Sequence, residues 1–455
     1  MILRRSKHHK PHSSHKAAII SLILLLLIAA GFSLRGHGYK QAFFGWAYEK
    51  RLEQNRSDLE NNAANSKLTS KSTLAQRIAR IDYPRTANMF LQNTISEAEA
   101  RQLARYDLVI LGMQHQAVSP DKLKLIKQLN PNIILLAYTD PVAFPLSRLE
   151  QVEPGVEGPW KTWGQIMRKE NYLLTNQGDY INIWLETPLV NLVSRVPDGR
   201  TLAEWKAQFY VDTVLGSGLW DGVFFDTTWP TISWINSTID TNRDGVVDNP
   251  EYVNSEWARG LNTLFAELRP LIQRRYDDRY LLIGNDQGRF YEWVNGRMFE
   301  DFPNQPNGGW DGSMREYALR QRTSYPPDVT IFNSSTLNTG NQDLEFMRFT
   351  LGSALMGNAF YNYDYGNEHR STLWWYPDYN LQLGFPQEDA KRWYDQTWVV
   401  ASDWKFGVYR REFDYGIVIV NSSDASQRVQ IRLRGYPSEI VIEPKHARFL
   451  LPTKE

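Results

Sequence analysis

Several short apolar runs in this chain stop abruptly at a carboxylate or an amide. In the sharpest case Val223-Phe224-Phe225 ends at Asp226 and is followed by Thr227, Thr228 and Trp229. In a parallel α/β barrel the strands are apolar, and the chemistry sits where each strand runs out at its C-terminal end. Two readings of Asp226 stand side by side: a carboxylate at such a mouth, or a residue that caps or turns into the next element. Asp82, Asp140, Asp286, Glu300 with Asp301, Asn333 and Asp364 end comparable runs. Aspartate is depleted inside strands, so its repeated placement at run ends is informative. Acids in a ring, with no cysteine and no conspicuous histidine pair, suit glycosidic bond cleavage, which uses one carboxyl as acid and another as nucleophile or base. Crowded acids also favour retention of a proton on one of them.

Aromatic residues complete that chemistry, because sugars present apolar C–H faces to rings that carry a polar handle. The chain has 16 tryptophans. Trp229, Trp234, Trp310, Trp374 and Trp375 follow three of the acid-terminated runs. Each has a plain packing alternative; as a group they point to substrate.

A third motif concerns metal. Asp240-Thr-Asn242-Arg-Asp244-Gly245-Val246-Val-Asp248-Asn-Pro-Glu251 has the spacing of an EF-hand calcium loop. Side-chain oxygens fall at positions 1, 3, 5, 9 and 12, the Val246 carbonyl at 7, and a glycine for the sharp turn at 6. The alternative is an acidic turn without metal. Calcium here is expected to be structural, stiffening a long loop.

These residues need a scaffold. Strands are expected at Ile78–Asp82, Leu108–Leu111, Ile133–Tyr138, Gly222–Phe225, Leu281–Asp286, Arg297–Asp301, Val329–Asn333 and Asn358–Tyr363. Helices are expected at Ser96–Tyr106, with the Ser96/Glu99 capping-box spacing, and at Pro120–Leu129, Leu202–Leu215 and Glu256–Arg275. Eight strands alternating with helical patterns are what a (β/α)8 barrel requires. It is assigned to residues 75–385. From 386 to 455 the pattern becomes period-two strands with tight turns, a small antiparallel β domain.

At the other end, residues 1–16 are basic, with no acid. Residues 17–34 carry no charge and are long enough to span a bilayer as a helix. The basic flank places the N-terminus in the cytoplasm and the remainder outside; a cleaved secretory signal is the alternative, giving a secreted protein. A polar spacer covers 35–74. The 455 residues balance to a formal net charge of zero, which argues against nucleic acid as a partner. The absence of cysteine excludes disulfides and thiol catalysis.

The segments Trp220-Asp-Gly-Val-Phe-Phe-Asp226 and Arg297-Met-Phe-Glu300-Asp301, with the acidic loop between them, resemble the hypothetical glycosyl hydrolase family fifteen. A looser similarity is to endo-α-1,4-polygalactosaminidase-type barrels. The resemblance covers roughly residues 75–385. It implies a (β/α)8 fold, a carbohydrate substrate and a catalytic role for Asp226 and Glu300. The neighbouring Asp301 competes for the second position, since one residue of register decides which side chain faces the mouth. Asp140, Asp286 and Asp364 are candidates to tune the site or bind substrate. The chain thus reads as a membrane-anchored, exported glycoside hydrolase acting on a polysaccharide. The competing reading is a non-catalytic carbohydrate-binding barrel of cell-envelope or exopolysaccharide assembly.

Overall fold

Eight parallel strands follow one another in chain order around a single sheet in the computed structural model: β1 (Ala87–Phe90), β2 (Leu108–Gly112), β3 (Ile134–Thr139), β4 (Gly222–Phe225), β5 (Leu281–Asn285), β6 (Gly296–Phe299), β7 (Ile331–Ser335) and β8 (Phe360–Asp364). A parallel bridge between Thr86 and Tyr361, with Tyr361 N donating to Arg85 O at 2.9 Å, joins β8 back to the start of β1. The structure describes residues 73–150, 158–285, 290, 292–304, 306, 308–394, 404–431 and 433–452. The expected membrane segment 17–34, its flank 1–16, nearly all of the spacer, and Asp286 lie outside these. Among the described residues no helix is long and apolar enough to cross a membrane.

Strand alternation sorts the side chains into two layers. Leu108, Ile110, Ile134, Leu136, Phe224, Leu281, Ile283, Met298, Ile331 and Phe360 fill the barrel interior. Their neighbours Val109, Leu111, Leu135, Val223, Phe225, Leu282 and Phe299 face the surrounding helices. Gly222 opens β4 because a Cβ there would sit 2.3 Å from the Leu281 carbonyl oxygen.

The first expected strand is corrected. Ile78 to Asp82 is not β1: helix α1 spans Leu74–Ala79, and β1 begins at Ala87. Thr73 and Gln76 form a capping box at its start, and Leu74 and Ile78 share one helical face. That face, with Ile81, joins the interior apolar cluster. Arg77 binds Ile133 O (3.2 Å) and Asp221, which precede β3 and β4, so α1 closes the end of the barrel opposite the strand C-termini. Asp82 is exposed and lies before β1, so it does not join the ring of strand-end acids.

The remaining helices follow their sequence signals closely. α2 (Glu97–Leu103) has the Ser96/Glu99 capping box, and α3 (Pro120–Leu129) starts on its proline. After α4 (Pro159–Ile166), α5 (Leu202–Phe209) is capped by Thr201 and Glu204 and widens into a π-helical turn over Tyr210–Val214. α6 runs from Pro250 to Tyr276 with Asn249 as its cap. It starts six residues before the expected Glu256, because proline is favoured at the first helical position. α7 (Gly309–Thr323) and α8 (Leu344–Leu355) complete the layer.

Beyond the barrel, β9 (Val408–Phe413), β10 (Gly416–Asn421) and β13 (His446–Leu450) pair antiparallel, and β11 (Gln427–Gln430) pairs with β12 (Glu439–Ile442). Gly352 of α8 lets this sheet approach closely, since a Cβ there would meet Ala447 Cβ at 2.5 Å. The buried Arg411 donates to Leu355 O (3.2 Å) and Asn358 Oδ1 (3.0 Å), fastening β9 to the end of α8.

Candidate active site

The interior parity of each strand decides which side chain emerges at the mouth. Leu136, Phe224, Ile283, Met298, Ile331 and Phe360 point inward. Two residues further along, Tyr138, Asp226, Asn285, Glu300, Asn333 and Asn362 take the same face, with Asp364 two beyond.

Their hydrogen bonds show that they converge. Asp226 Oδ2 accepts from Tyr138 Oη at 2.6 Å, and Oδ1 accepts from Thr227 N at 2.8 Å and Asn285 Nδ2 at 3.0 Å. That same amide nitrogen donates to Glu300 Oε2 at 3.0 Å. Two acceptors on the two hydrogens of one trigonal amide lie about 5 Å apart, and never more than about 6 Å. Asp226 and Glu300 therefore face a common point. Burial and then the charge of Asp226 hold the Tyr138 phenol far above its ordinary range, so it stays a neutral donor.

Glu300 is held on its other side. Arg370, from the loop after β8, pairs with Glu300 Oε1 and donates to Asp364 Oδ2 at 2.7 Å and Asn333 Oδ1 at 3.1 Å. Asp364 is buried and also accepts from Asn333 (3.0 Å) and Asn362 (2.8 Å). Burial raises its pKa, while Arg370 opposes the rise. Asp301, the competitor of Glu300, is turned aside: its backbone is left-handed at φ 51°, and its Oδ1 accepts from Ser335 Oγ at 2.5 Å.

Asp140 is buried beside Asp226 but faces Thr227, whose Oγ1 donates to Asp140 Oδ2 at 2.6 Å; Val142 N donates to Oδ1 at 2.9 Å. Desolvation first, and the Asp226 charge second, push Asp140 up to about 8. Asp286 lies outside the described residues. Tyr138, Asn285 and Arg370 were not anticipated. Inward parity identifies the first two; Arg370 comes from a loop and carries no such mark.

The tryptophans separate. Trp229 and Trp234, in the loop after Asp226, stack obliquely with ring centroids 5.2 Å apart, and Trp234 is 65% exposed. Trp374 and Trp375 are half-buried; Trp375 packs on Tyr106 and under Arg105. Trp310 is buried, its Nε1 donates to Ser353 Oγ at 2.8 Å, and its ring packs with Trp404 and Tyr409. Its place is under the C-terminal sheet, not on the rim.

Two long excursions build the rim, one after β3 and one after β4. A two-residue antiparallel pairing of Leu174–Thr175 with Ile239–Asp240 ties them. The acidic loop sits at this junction. Asp240 accepts from the backbone N–H groups of Arg243, Asp244 and Gly245, and Gly245 is left-handed at φ 82°. Arg243 reaches across to the carbonyls of Lys169 and Tyr172. Among the described residues, no three acidic or histidine side chains gather into a metal-holding group. The carboxylates of Asp240, Asp244 and Asp248 accept from the backbone N–H groups of Gly245, Val246 and Thr241.

Among solved structures, the isomalto-dextranase of Arthrobacter globiformis T6, complexed with panose, aligns with a TM-score of 0.44 at 10% identity over 86% of this chain and 76% of that one. A chitobiase of Flavobacterium johnsoniae aligns with a TM-score of 0.30 at 7% identity over 60% and 40%. No curated protein matches the sequence. The sequence pattern of one glycosyl hydrolase family matches residues 127–417, a span that includes β4 to β8 and every residue around Asp226 and Glu300 described above. The chain belongs to the hypothetical glycosyl hydrolase family 15.

Proposed function

We propose that the chain is a retaining glycoside hydrolase acting on an oligo- or polysaccharide, with Asp226 as nucleophile and Glu300 as general acid and base. The observation that carries this reading is the single Asn285 nitrogen that holds both carboxyl groups at 3.0 Å. Retaining enzymes place the two groups about 5–5.5 Å apart, whereas inverting ones leave about 6.5–9.5 Å for a water.

The donors around each group suit these roles. Asp226 accepts three hydrogen bonds from neutral donors, Tyr138, Thr227 and Asn285, which hold its carboxyl in place. Two carboxylates this close repel when both are charged, so an arrangement with one proton between them is favoured. Arg370 divides its contacts between Glu300 and the buried Asp364. Asp226 would attack the anomeric carbon as Glu300 gives its proton to the leaving oxygen. The glycosidic bond breaks and a glycosyl ester on Asp226 forms. Glu300 then takes a proton from water, which displaces Asp226 and releases the sugar with its configuration retained.

The half-buried Trp229 and the exposed Trp234 lie three and eight residues past the nucleophile and would carry a sugar ring. A calcium ion in the loop from Asp240 to Glu251 would be structural, since that loop locks the two rim excursions together. No step of the reaction passes through it. Residues 17–34 would anchor the exported enzyme to the membrane, a role supported by their length and basic flank.

The test is proton NMR of the first-formed anomer during hydrolysis of a polysaccharide panel by residues 72–455. Retention, together with loss of activity in Asp226→Asn and Glu300→Gln, supports the reading. An inverted product overturns the assignment of roles. Glycan binding without hydrolysis would favour a carbohydrate-binding barrel instead.

A further inference from the structure

Thr227, the residue that follows the proposed nucleophile, has a left-handed backbone at φ 53°. For a β-branched side chain this is a strained conformation. Such strain persists only when the surroundings over-determine it, and its presence beside a functional group invites a mechanical explanation. Here the surroundings are explicit. Thr227 is 0% exposed, and its Oγ1 donates to Asp140 Oδ2 at 2.6 Å. Asp140 is fixed in turn by Val142 N at 2.9 Å. With the backbone in this conformation, Thr227 N points back onto Asp226 Oδ1 at 2.8 Å. Asp226 N is held by Thr139 O at 2.9 Å, so β3 supplies both the backbone acceptor for Asp226 and, one residue on, the carboxyl that holds Thr227.

We propose that Asp140 and Thr227 form a latch that orients Asp226: the Asp140–Thr227 hydrogen bond keeps the turn in its strained conformation, and the turn aims the Asp226 carboxylate at the mouth. Asp140 is then a positioning residue and not a second acid or a substrate contact. Its burial and its two occupied oxygens agree, since neither is offered to the mouth. Burial and the neighbouring Asp226 charge both favour its neutral form. This rests on the reading of Asp226 as nucleophile, but the latch itself can be measured apart from catalysis.

The experiment is a double-mutant cycle of Asp140→Ala and Thr227→Gly, read by thermal unfolding and by kcat and KM. Glycine adopts a left-handed backbone without strain, so it does not need the latch. Asp140→Ala is expected to lower both Tm and kcat, the latter by about a hundredfold, the scale of a misplaced reacting group, with KM little changed. Adding Thr227→Gly should restore part of both losses. Thr227→Gly should also be more active than Thr227→Val, although valine is the closer shape, because valine keeps the strain and loses the hydroxyl. Asp140→Asn, which retains an acceptor, should lose less than Asp140→Ala. If Asp140→Ala does not fold, the ordering of the glycine and valine variants decides through Tm and kcat alike. Additive Tm effects, or valine equal to glycine, overturn the latch whatever the chain hydrolyses. Non-additive Tm effects without any sugar release by the parent protein support the latch and overturn the glycosidase reading.

Discussion

Asp226 and Glu300 share one hydrogen-bond donor, the side-chain nitrogen of Asn285, which lies 3.0 Å from an oxygen of each. The neutral amide fixes the spacing of the two carboxyl groups without adding a charge. Asn285→Ala should free that spacing and reduce kcat by about a hundredfold, as expected when reacting groups are misplaced. Tyr138→Phe removes a single donor to Asp226 and should cost about ten- to a hundredfold in kcat, a hydrogen bond to a charged group being worth roughly 1.5–3 kcal/mol. Steady-state kinetics on one glycan checks both; an unaltered kcat in Asn285→Ala would count against the pair.

Arg370 and Asp364 give a stability prediction with an internal contrast. Arg370→Met leaves the buried Asp364 without its cation, and breaking a buried pair from one side costs about 3–5 kcal/mol. Asp364→Asn leaves Arg370 still paired with Glu300 and should cost clearly less. Urea unfolding of the two variants measures the difference.

Asp140 predicts how stability varies with pH. Its folded-state pKa of about 8 lies above the ordinary aspartate value, so the folded chain binds the proton more tightly than the unfolded one. This contribution to stability is fully present below about pH 4 and is lost as pH rises towards about 8. Asp140→Asn cannot ionise. Its stability relative to the parent should therefore improve across that window, by about 1 kcal/mol or more. Thermal melts at several pH values give the slope; an equal pH dependence in the two proteins would contradict it.

Trp234 and Trp310 should behave oppositely. Trp234 is exposed and touches mainly Trp229, so Trp234→Ala should raise KM several-fold with stability changed by no more than about 0.5 kcal/mol. Trp310 is buried under the C-terminal sheet, and Trp310→Ala should destabilise by about 3–5 kcal/mol. Melting curves and substrate titrations distinguish the two.

Calcium is tested by titration into chelator-treated protein. At a hundredfold excess over its dissociation constant a bound ion stabilises the fold by about 2.7 kcal/mol. Tm should rise with calcium in the parent and not in Asp240→Ala/Asp244→Ala. An unchanged Tm in the parent would leave the motif an acidic turn.

The alternation of apolar runs with helical patterns was enough to place seven of the eight strands within about two residues, because a barrel strand is buried on both faces and reads as a short apolar block. The first failed for a related reason. Ile78 and Ile81 are apolar because they plug the barrel from a helix end, and a short apolar stretch reads alike in either element. The capping box at Thr73 and Gln76 was the local sign that distinguished them.

What the sequence by itself determined is seven of the eight strands and the carboxylate that ends the fourth. Once the structure shows which residues face the interior, period-two parity selects Glu300 over Asp301 and brings in Tyr138 and Asn285, since each lies two residues past an interior residue. Tertiary structure alone decided that one amide nitrogen serves two strands, that Arg370 returns from beyond β8 to reach Glu300, and that Asp140 faces Thr227 and not the mouth. These are contacts between residues that are 15 to 87 positions apart. No local propensity encodes them, because they exist only after the barrel closes and brings the strand ends within hydrogen-bond reach.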